Sequence, residues 1–456
     1  MGTERIPRLL FSISVPIIIS MLVQALYNIV DSIFVAQYDS TGTATAALAI
    51  AFPIQNLMIA VAVGLAVGTN ALLSRSLGQK NYDKASVIAG QGFFLTLCGY
   101  LLFLVFGLFF VPLFVGVQSD AGTALYNMGV QYTEIISVFS IGVFIQVVCE
   151  RLLQATGKSI LSMVVQLSGA VVNIILDPIM IFGLLSCPRL GVSGAAIATV
   201  IGQAVSATLG IILNLKYNKE IRFSLKNLIP KFQILREMLA IGIPSVLMQA
   251  IGSVMTFSMN LILTSFEEVG EIALGVFGIY FKLQSFVFMP VFGLNNGMVP
   301  IVAYNYGAGK RDRIYATMKL SAAAAVSYMI LGFAVFQLFP SALLGMFNAS
   351  EAMLEIGRYA LRIISISFIM AGFSIVSISV CQALGKSIYS LIVSICRQLV
   401  VLIPSAYLLS LTGEVKNVWW AFPIAELVGC TLCITFLIHV LRTVLHKKEK
   451  RDFETE

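Results

Sequence analysis

The sequence has little charge. Asp, Glu, Lys and Arg make up 11% of its 456 residues, whereas soluble domains average about 25%. Hydrophobic residues make up 58%, and the mean hydropathy is +0.93. This balance excludes a soluble globular chain. At about 20 apolar residues for each crossing, the length has room for roughly twelve membrane-spanning helices.

The seven cysteines show no spacing typical of a disulfide framework or a metal site, and only two histidines are present. The two histidines, His439 and His446, lie at the end of the last apolar segment. Cys430 and Cys433 form a C-x-x-C pair, but inside an apolar segment they read as two small hydrophobic side chains. The net charge of +7 gives no reason to expect nucleic acid, because basic cytoplasmic loops are its common cause in membrane proteins.

A complete nucleotide-binding loop is also missing. Gly157-Lys158-Ser159 and a second copy, Gly385-Lys386-Ser387, resemble the end of a Walker A loop. The glycine required five residues earlier is replaced by Leu152 and by Val380. We therefore predict a helix-ending turn at each copy, no ATP hydrolysis, and a protein that is not an enzyme.

Twelve apolar segments can be read along the chain, and helices are the only economical way to satisfy this much backbone in lipid. The segments lie near residues 10–36, 46–73, 86–115, 128–152, 160–185, 190–215, 237–264, 272–303, 315–340, 353–381, 388–411 and 418–445. With both termini inside, the basic loops fall on the cytoplasmic side and acids such as Asp39, Asp120 and Glu414 fall outside. We predict a multi-pass protein of the cytoplasmic membrane with both termini in the cytoplasm.

An internal repeat divides the chain into halves. Gln154–Ile160 recurs as Gln382–Ile388, and Pro16 recurs as Pro244 at the same spacing. Six spans in each half give two copies of one orientation, which is a transporter plan. The predicted fold is all-α and integral to the membrane, with two pseudo-symmetric six-helix lobes at 1–215 and 237–446. Residues 216–236 form a cytoplasmic loop, interpreted as a hinge, and 447–456 form a charged tail.

The most informative segment is Asn173-Ile174-Ile175-Leu176-Asp177-Pro178, in the middle of a span. A carboxylate at that depth costs about 2.5–3.5 kcal/mol on insertion scales and marks a functional site by default. Asn173 lies one helical turn before Asp177 on the same face. Pro178 leaves the carbonyl of Ile174 without its helical partner. These groups predict a cation or proton site.

A second polar face lies on the first span. It carries Gln24, Tyr27, Asn28 and Asp31. Such a face on an apolar span is expected to point at a cavity or the bundle interior, although a position of Asp31 near the outer membrane surface stays open. In the second half, Met259 and Ser405 stand at the positions of Asp31 and Asp177. The N-terminal half is therefore predicted to carry the ion chemistry.

Three further charges lie within spans of the second half. Lys282, Arg397 and Glu426 belong to the eighth, eleventh and twelfth spans. They are expected either to pair with one another or with backbone carbonyls, or to contact substrate. Glu150, near the end of the fourth span, is predicted to be interfacial.

The chain resembles the multidrug and toxic compound extrusion (MATE) transporters over essentially its whole length. The matching stretches are Tyr27–Asp31, Asn173–Pro178, Gly191–Thr199, Pro300–Gly307 and the two turns that contain Gly157 and Gly385. Each stretch alone would be a weak signal, and their combination is specific. The resemblance implies two six-helix lobes around a central cavity that alternates between outward and inward openings.

It also implies multidrug efflux of small organic cations, cationic amphiphilic compounds, by antiport with protons or sodium ions. The cation-coupling residues would be Asp31, Asn173, Asp177 and Thr199, which would also be the ligands of Na⁺, with Gln24, Tyr27 and Asn28 nearby. One branch of the family also uses a glutamate in the seventh span. Here the stretch from Pro244 through Thr264 contains no acid, so we expect no cation site of that kind in the C-terminal lobe. No cofactor is expected beyond the coupling ion, and the monomer in the bilayer is expected to be functional.

Two alternatives remain from other classes. A flippase for a lipid-linked or polyisoprenoid-linked precursor would share the two-lobed plan, and its anionic substrate would require a strongly cationic cavity, for which Lys282 and Arg397 are the only basic candidates. A membrane prenyltransferase would require clustered acids to hold magnesium. Asp31 and Asp177 stand in separate spans without a second acid nearby in sequence, which disfavours the enzyme.

Overall fold

A computed structural model describes residues 1–38, 43–267, 269–347 and 349–445, apart from the side chains of Asn28, Ile29, Ser32, Ala36 and Leu445. Within these ranges the chain is helical and contains no strand. The helices of the first half are α1 Ile6–Tyr38, α2 Thr43–Gly78, α3 Tyr82–Phe109, α4 Val111–Gly116, α5 Ala124–Val138, α6 Ile141–Ala155, α7 Ser159–Phe182 and α8 Val192–Tyr217.

The second half also contains two π-helical segments. Its helices are α9 Phe232–Thr264, α10 Gly270–Gly307, α11 Arg311–Leu338, α12 Pro340–Gly345, α13 Glu351–Ala383, α14 Ser387–Ile395, α15 Ile403–Ser410, α16 Val415–Val418 and α17 Ala421–Val440. The π-helical segments are Cys396–Leu402 and Leu441–Leu445.

The number of spans agrees with the prediction. In the described residues, 11 helices are long and apolar enough to cross a membrane, and the count reaches 12 when α5 and α6 form one bent span. These two helices meet at an angle of 44°. The bend divides the segment that was predicted as one continuous crossing near residues 128–152, and the twelve-span, all-α fold is confirmed.

Both Walker-like sequences are helix-ending turns, as predicted. Gly157 and Gly385 have φ of +81° and +76°, a left-handed conformation that glycine adopts without steric cost. Lys158 donates its backbone N–H to Leu153 at 2.8 Å, and Lys386 donates to Cys381 at 2.8 Å. This is the closing bond of a Schellman motif, and it ends the helix at each copy.

The chain separates into two compact units. One contains Val15–Val246, and the other contains Met1–Ser14 together with Leu247–Glu456. Each division falls inside a helix, α1 or α9, within three residues of Pro16 or Pro244. The compact units and the two sequence repeats are thus different divisions of the chain, and the lobe limits at 215 and 237 stay a prediction.

In the unit Val15–Val246, α7 and α8 approach closely through glycines. A Cβ at Gly169 would lie 2.2 Å from Ser206 Oγ and 2.8 Å from the carbonyl oxygen of Gly202. A Cβ at Gly202 would lie 3.2 Å from the Cβ of Asn173. Small residues at a helix interface let backbones approach in membranes. Here they bring α8 against the face of α7 that carries Asn173.

We expect Gly169→Ala to destabilise the protein by about 1–3 kcal/mol, the usual cost of overpacking, because the new methyl group meets a backbone oxygen that cannot rotate away. The thermal midpoint of the purified full-length protein in detergent should fall. Gly278→Ala is the matched control, because a Cβ there has no atom within 4 Å, so its midpoint should stay level or rise. An unchanged midpoint in Gly169→Ala would contradict the close packing.

Candidate cation site

The polar residues of α7 and α8 meet inside the unit Val15–Val246. Asn173, Asp177 and Thr199 are all buried. Asn173 Nδ2 donates to Asp177 Oδ1 at 3.2 Å, one turn along the same helix, and lies 3.4 Å from Thr199 Oγ1 on α8. α7 continues through Pro178 to Phe182, so Pro178 supplies no N–H to the carbonyl of Ile174. The predicted convergence of a carboxylate and an amide is present, with a hydroxyl added from the next helix.

The first span brings its own polar face to the same region. Asp31 is close enough to Asp177 for an electrostatic interaction, and Tyr27 is close enough to both carboxylates. Gln24 Oε1 accepts a hydrogen bond from Gln166 Nε2 of α7 at 2.8 Å. These contacts connect α1 to α7 and place Asp31 among protein groups. The side chain of Asn28, also predicted here, lies outside the described residues.

Three buried oxygen atoms of this cluster have no hydrogen-bond donor among the described residues. They are Asp31 Oδ1, Asn173 Oδ1 and Asp177 Oδ2. Buried polar atoms without a partner are costly and rare in native proteins. Carboxylate and amide oxygens are ligands for hard cations, and a carboxylate also takes up a proton. These oxygen atoms therefore fit a sodium ion or a proton as their partner. Such an ion would be transported by the protein and would not be a resident cofactor.

Sequence reasoning missed several residues near this cluster. Gln166 lies seven residues before Asn173, so the polar spacing of α7 could have identified it. Tyr132 of α5 is fully buried, interacts with Gln55 of α2 and lies within electrostatic range of Asp31. Nothing in the sequence pattern singles out this tyrosine.

Glu150, predicted to be interfacial, is surrounded by protein groups. Its side chain is buried by protein, and Gln146 Nε2 donates to Glu150 Oε1 at 3.0 Å from one turn earlier on α6. It also lies within electrostatic range of Tyr27. Burial of this carboxylate against protein groups cannot be read from its position along the span.

The three charges of the second half belong to the other compact unit. Arg397 Nη1 lies 3.1 Å from Glu426 Oε2, and both side chains are largely buried. Arg397 belongs to the π-helical segment Cys396–Leu402, and its aliphatic stem packs on Gly429, where a Cβ would come within 2.9 Å. Lys282 Nζ lies 5.8 Å from the centre of the Phe347 ring. Of the predicted pairings, that between Arg397 and Glu426 is present.

The sequence matches a family model twice. The MatE family model covers residues 16–179 and again 244–408, so the two matches begin at the two prolines of the internal repeat. The multidrug export protein MepA of Staphylococcus haemolyticus is 28% identical over 443 residues, which are 97% of this chain and 95% of that protein. MepA of Staphylococcus aureus is 26% identical over 432 residues, or 94% and 92% of the two chains.

Solved structures agree with the architecture. The MATE multidrug transporter DinF-BH superposes with a TM-score of 0.88 at 32% identity and covers 98% of both chains. A MOP superfamily transporter from Pyrococcus furiosus superposes with a TM-score of 0.88 at 23% identity over 97% of both chains, a likeness of fold alone. The twofold match, the helical architecture and these relatives show that the chain belongs to the MatE family of membrane transporters.

Proposed function

We propose that the protein is a multidrug efflux transporter that exports cationic amphiphilic compounds in exchange for protons or sodium ions. The observation that carries the proposal is the cluster of three buried oxygens, on Asp31, Asn173 and Asp177, that lack a donor among the described residues. A cation or a proton at this cluster would satisfy them. The matched MepA relatives are multidrug export proteins, which supports the outward transport of drugs.

In the proposed cycle, the entering ion neutralises Asp31 and Asp177, and neutralisation lets α1 shift against α7. The hydrogen bond between Gln24 and Gln166 connects these helices and would respond to that shift. A cationic substrate is released when the ion replaces it as the positive charge that balances the two carboxylates. Exchange requires that ion and substrate differ in their affinities for the two conformations. The two carboxylates give the ion and a cationic substrate a common charge for which to compete.

We also propose that the protein works as a monomer in the cytoplasmic membrane. Basic loops favour a cytoplasmic membrane with both termini in the cytoplasm, and the site lies within one chain, so a monomer would suffice. The flippase alternative loses support because Glu426 neutralises Arg397, one of the two basic side chains that an anionic headgroup would require.

The test is efflux of ethidium from proteoliposomes under a pH gradient and, separately, under a sodium gradient. We expect ethidium to move against its own gradient when at least one ion gradient is imposed, and the gradient that drives it identifies the coupling ion. Liposomes without protein and liposomes without either gradient are the controls. Folded protein that moves no ethidium under either gradient would overturn the proposal.

A further inference from the structure

The segment between α8 and α9, residues 218–231 (the linker), follows a fixed course on α3. Gln91, which is fully buried, donates from Nε2 to the carbonyl oxygens of Asn227 at 2.7 Å and Ile229 at 2.8 Å. Its Oε1 accepts the backbone N–H of Lys231 at 2.8 Å. One glutamine thus satisfies three backbone groups. The hinge role expected for this loop stays a prediction.

Further contacts keep the linker against its unit. Ser86 Oγ accepts the N–H of Arg222 at 2.9 Å, and a Cβ at Gly90 would lie 2.4 Å from the Asn227 carbonyl oxygen. Lys158 Nζ meets Glu220 Oε2 at 2.5 Å. The backbone positions of the basic residues along the linker are therefore set by the fold.

The linker exposes large apolar side chains at the level where two spans end. Leu225 is 83% exposed, Ile229 is 64% exposed, and Phe232, the first residue of α9, is 82% exposed. α8 ends at Tyr217 directly before the linker. Apolar side chains next to bases are typical of segments that lie at a membrane interface. The linker therefore has the composition of a segment in contact with headgroups.

A cleft beside the linker collects positive charge. It has a volume of about 860 Å³ between the turn that joins α2 to α3 and the start of the linker. Lys80, Lys219 and Arg222 line it, and none of the three forms an ion pair within the part of the chain that the structure describes. Of the two acids in the lining, Glu220 is engaged by Lys158, which leaves Asp83. The balance of charge in the cleft is positive.

We propose that this cleft binds the headgroup of an anionic phospholipid of the cytoplasmic leaflet. Basic residues beside a span attract anionic lipids in that leaflet, and Tyr82, an exposed member of the lining, is of the type that settles at headgroup level. Lys80, Lys219 and Arg222 bind the phosphate from the two sides of the cleft. The linker is then a lipid-binding element of the unit Val15–Val246.

Native mass spectrometry of the full-length protein in detergent tests the proposal, with phosphatidylglycerol and phosphatidylcholine titrated separately. We expect one phosphatidylglycerol to bind at least about tenfold more tightly than phosphatidylcholine, and high salt to weaken its binding. The triple variant Lys80→Ala/Lys219→Ala/Arg222→Ala should bind it on the order of 100-fold more weakly, at about fivefold for each charge. The control Lys319→Ala/Lys386→Ala removes two exposed cations elsewhere and should bind as the unaltered protein does.

Each contrary result overturns the proposal. Equal binding of both lipids would show no preference for an anionic headgroup. Unchanged phosphatidylglycerol binding in a folded triple variant would place the lipid elsewhere. Displacement of the lipid by inorganic phosphate at millimolar concentration would assign the cleft to a free anion. If the triple variant does not fold, the lipid preference and salt dependence of the unaltered protein still decide between binding and no binding.

Discussion

Asp177→Asn should abolish ion-driven export while leaving the protein folded. Asparagine has the size of aspartate, but it can neither be protonated near neutral pH nor supply a negative charge to a sodium ion. With no ion coupled to its movement, ethidium can only equilibrate, so its concentration ratio across the membrane should fall to the value found in liposomes without an imposed gradient. The measurement is ethidium efflux from proteoliposomes under the coupling gradient.

The internal repeat offers a matched control. Ser405 occupies the position of Asp177 in the second half, at the same spacing, and Ser405→Ala should export as the unaltered protein does. Monodisperse elution and an unchanged thermal midpoint would show that both variants are folded. Export of ethidium against its gradient by folded Asp177→Asn would remove this carboxylate from the coupling site and, with it, the proposed mechanism.

Glu426→Leu should be strongly destabilising, by about 3–5 kcal/mol, because it leaves the Arg397 guanidinium inside the protein without its counter-charge. The double variant Arg397→Met/Glu426→Leu should recover most of that stability, since two apolar side chains of similar volume can replace a buried pair at little cost. Unfolding of the single and double variants in detergent gives the coupling energy through a double-mutant cycle. Additive effects of the two changes would contradict a direct interaction.

Transport by the double variant separates the two predicted roles of the pair. If the pair of Arg397 and Glu426 serves only to hold α17 against the π-helical segment, the folded double variant should export ethidium as the unaltered protein does. Loss of export in a stable double variant would mean that these side chains contact substrate. The result therefore decides which of the two roles applies, independently of the stability measurement.

The spans could be predicted because each membrane helix satisfies its own backbone, so hydropathy alone locates it. α7 shows this well, since the segment near 160–185 became Ser159–Phe182. The 44° bend between α5 and α6 could not be predicted in this way. The bend cannot be seen in the amino-acid composition of the segment, because it depends on how the neighbouring helices pack.

The sequence predicts only those contacts of the candidate site that join residues close to one another along the chain. Asn173 and Asp177 lie one turn apart, so helical spacing is enough to pair them. Thr199 came only from the family resemblance, because its contact with Asn173 depends on glycines that let α7 and α8 approach. The position of Tyr132 near Asp31 and the hydrogen bonds of Gln91 to the linker both depend on tertiary contacts between distant segments. The sequence pattern does not reveal such contacts.

The division of α1 and α9 between the two compact units has a consequence for cutting the chain. Met1–Ser14 belongs with Leu247–Glu456, whereas residues 232–246, the first part of α9, belong with the preceding unit. Two fragments made by cleavage in the linker would therefore each carry a helix end that completes the other fragment. A single ancestral half with this plan would complete itself by exchanging its first helix end with a second copy, as a domain-swapped dimer does. Gene duplication would then have turned an exchange between subunits into one within a single polypeptide.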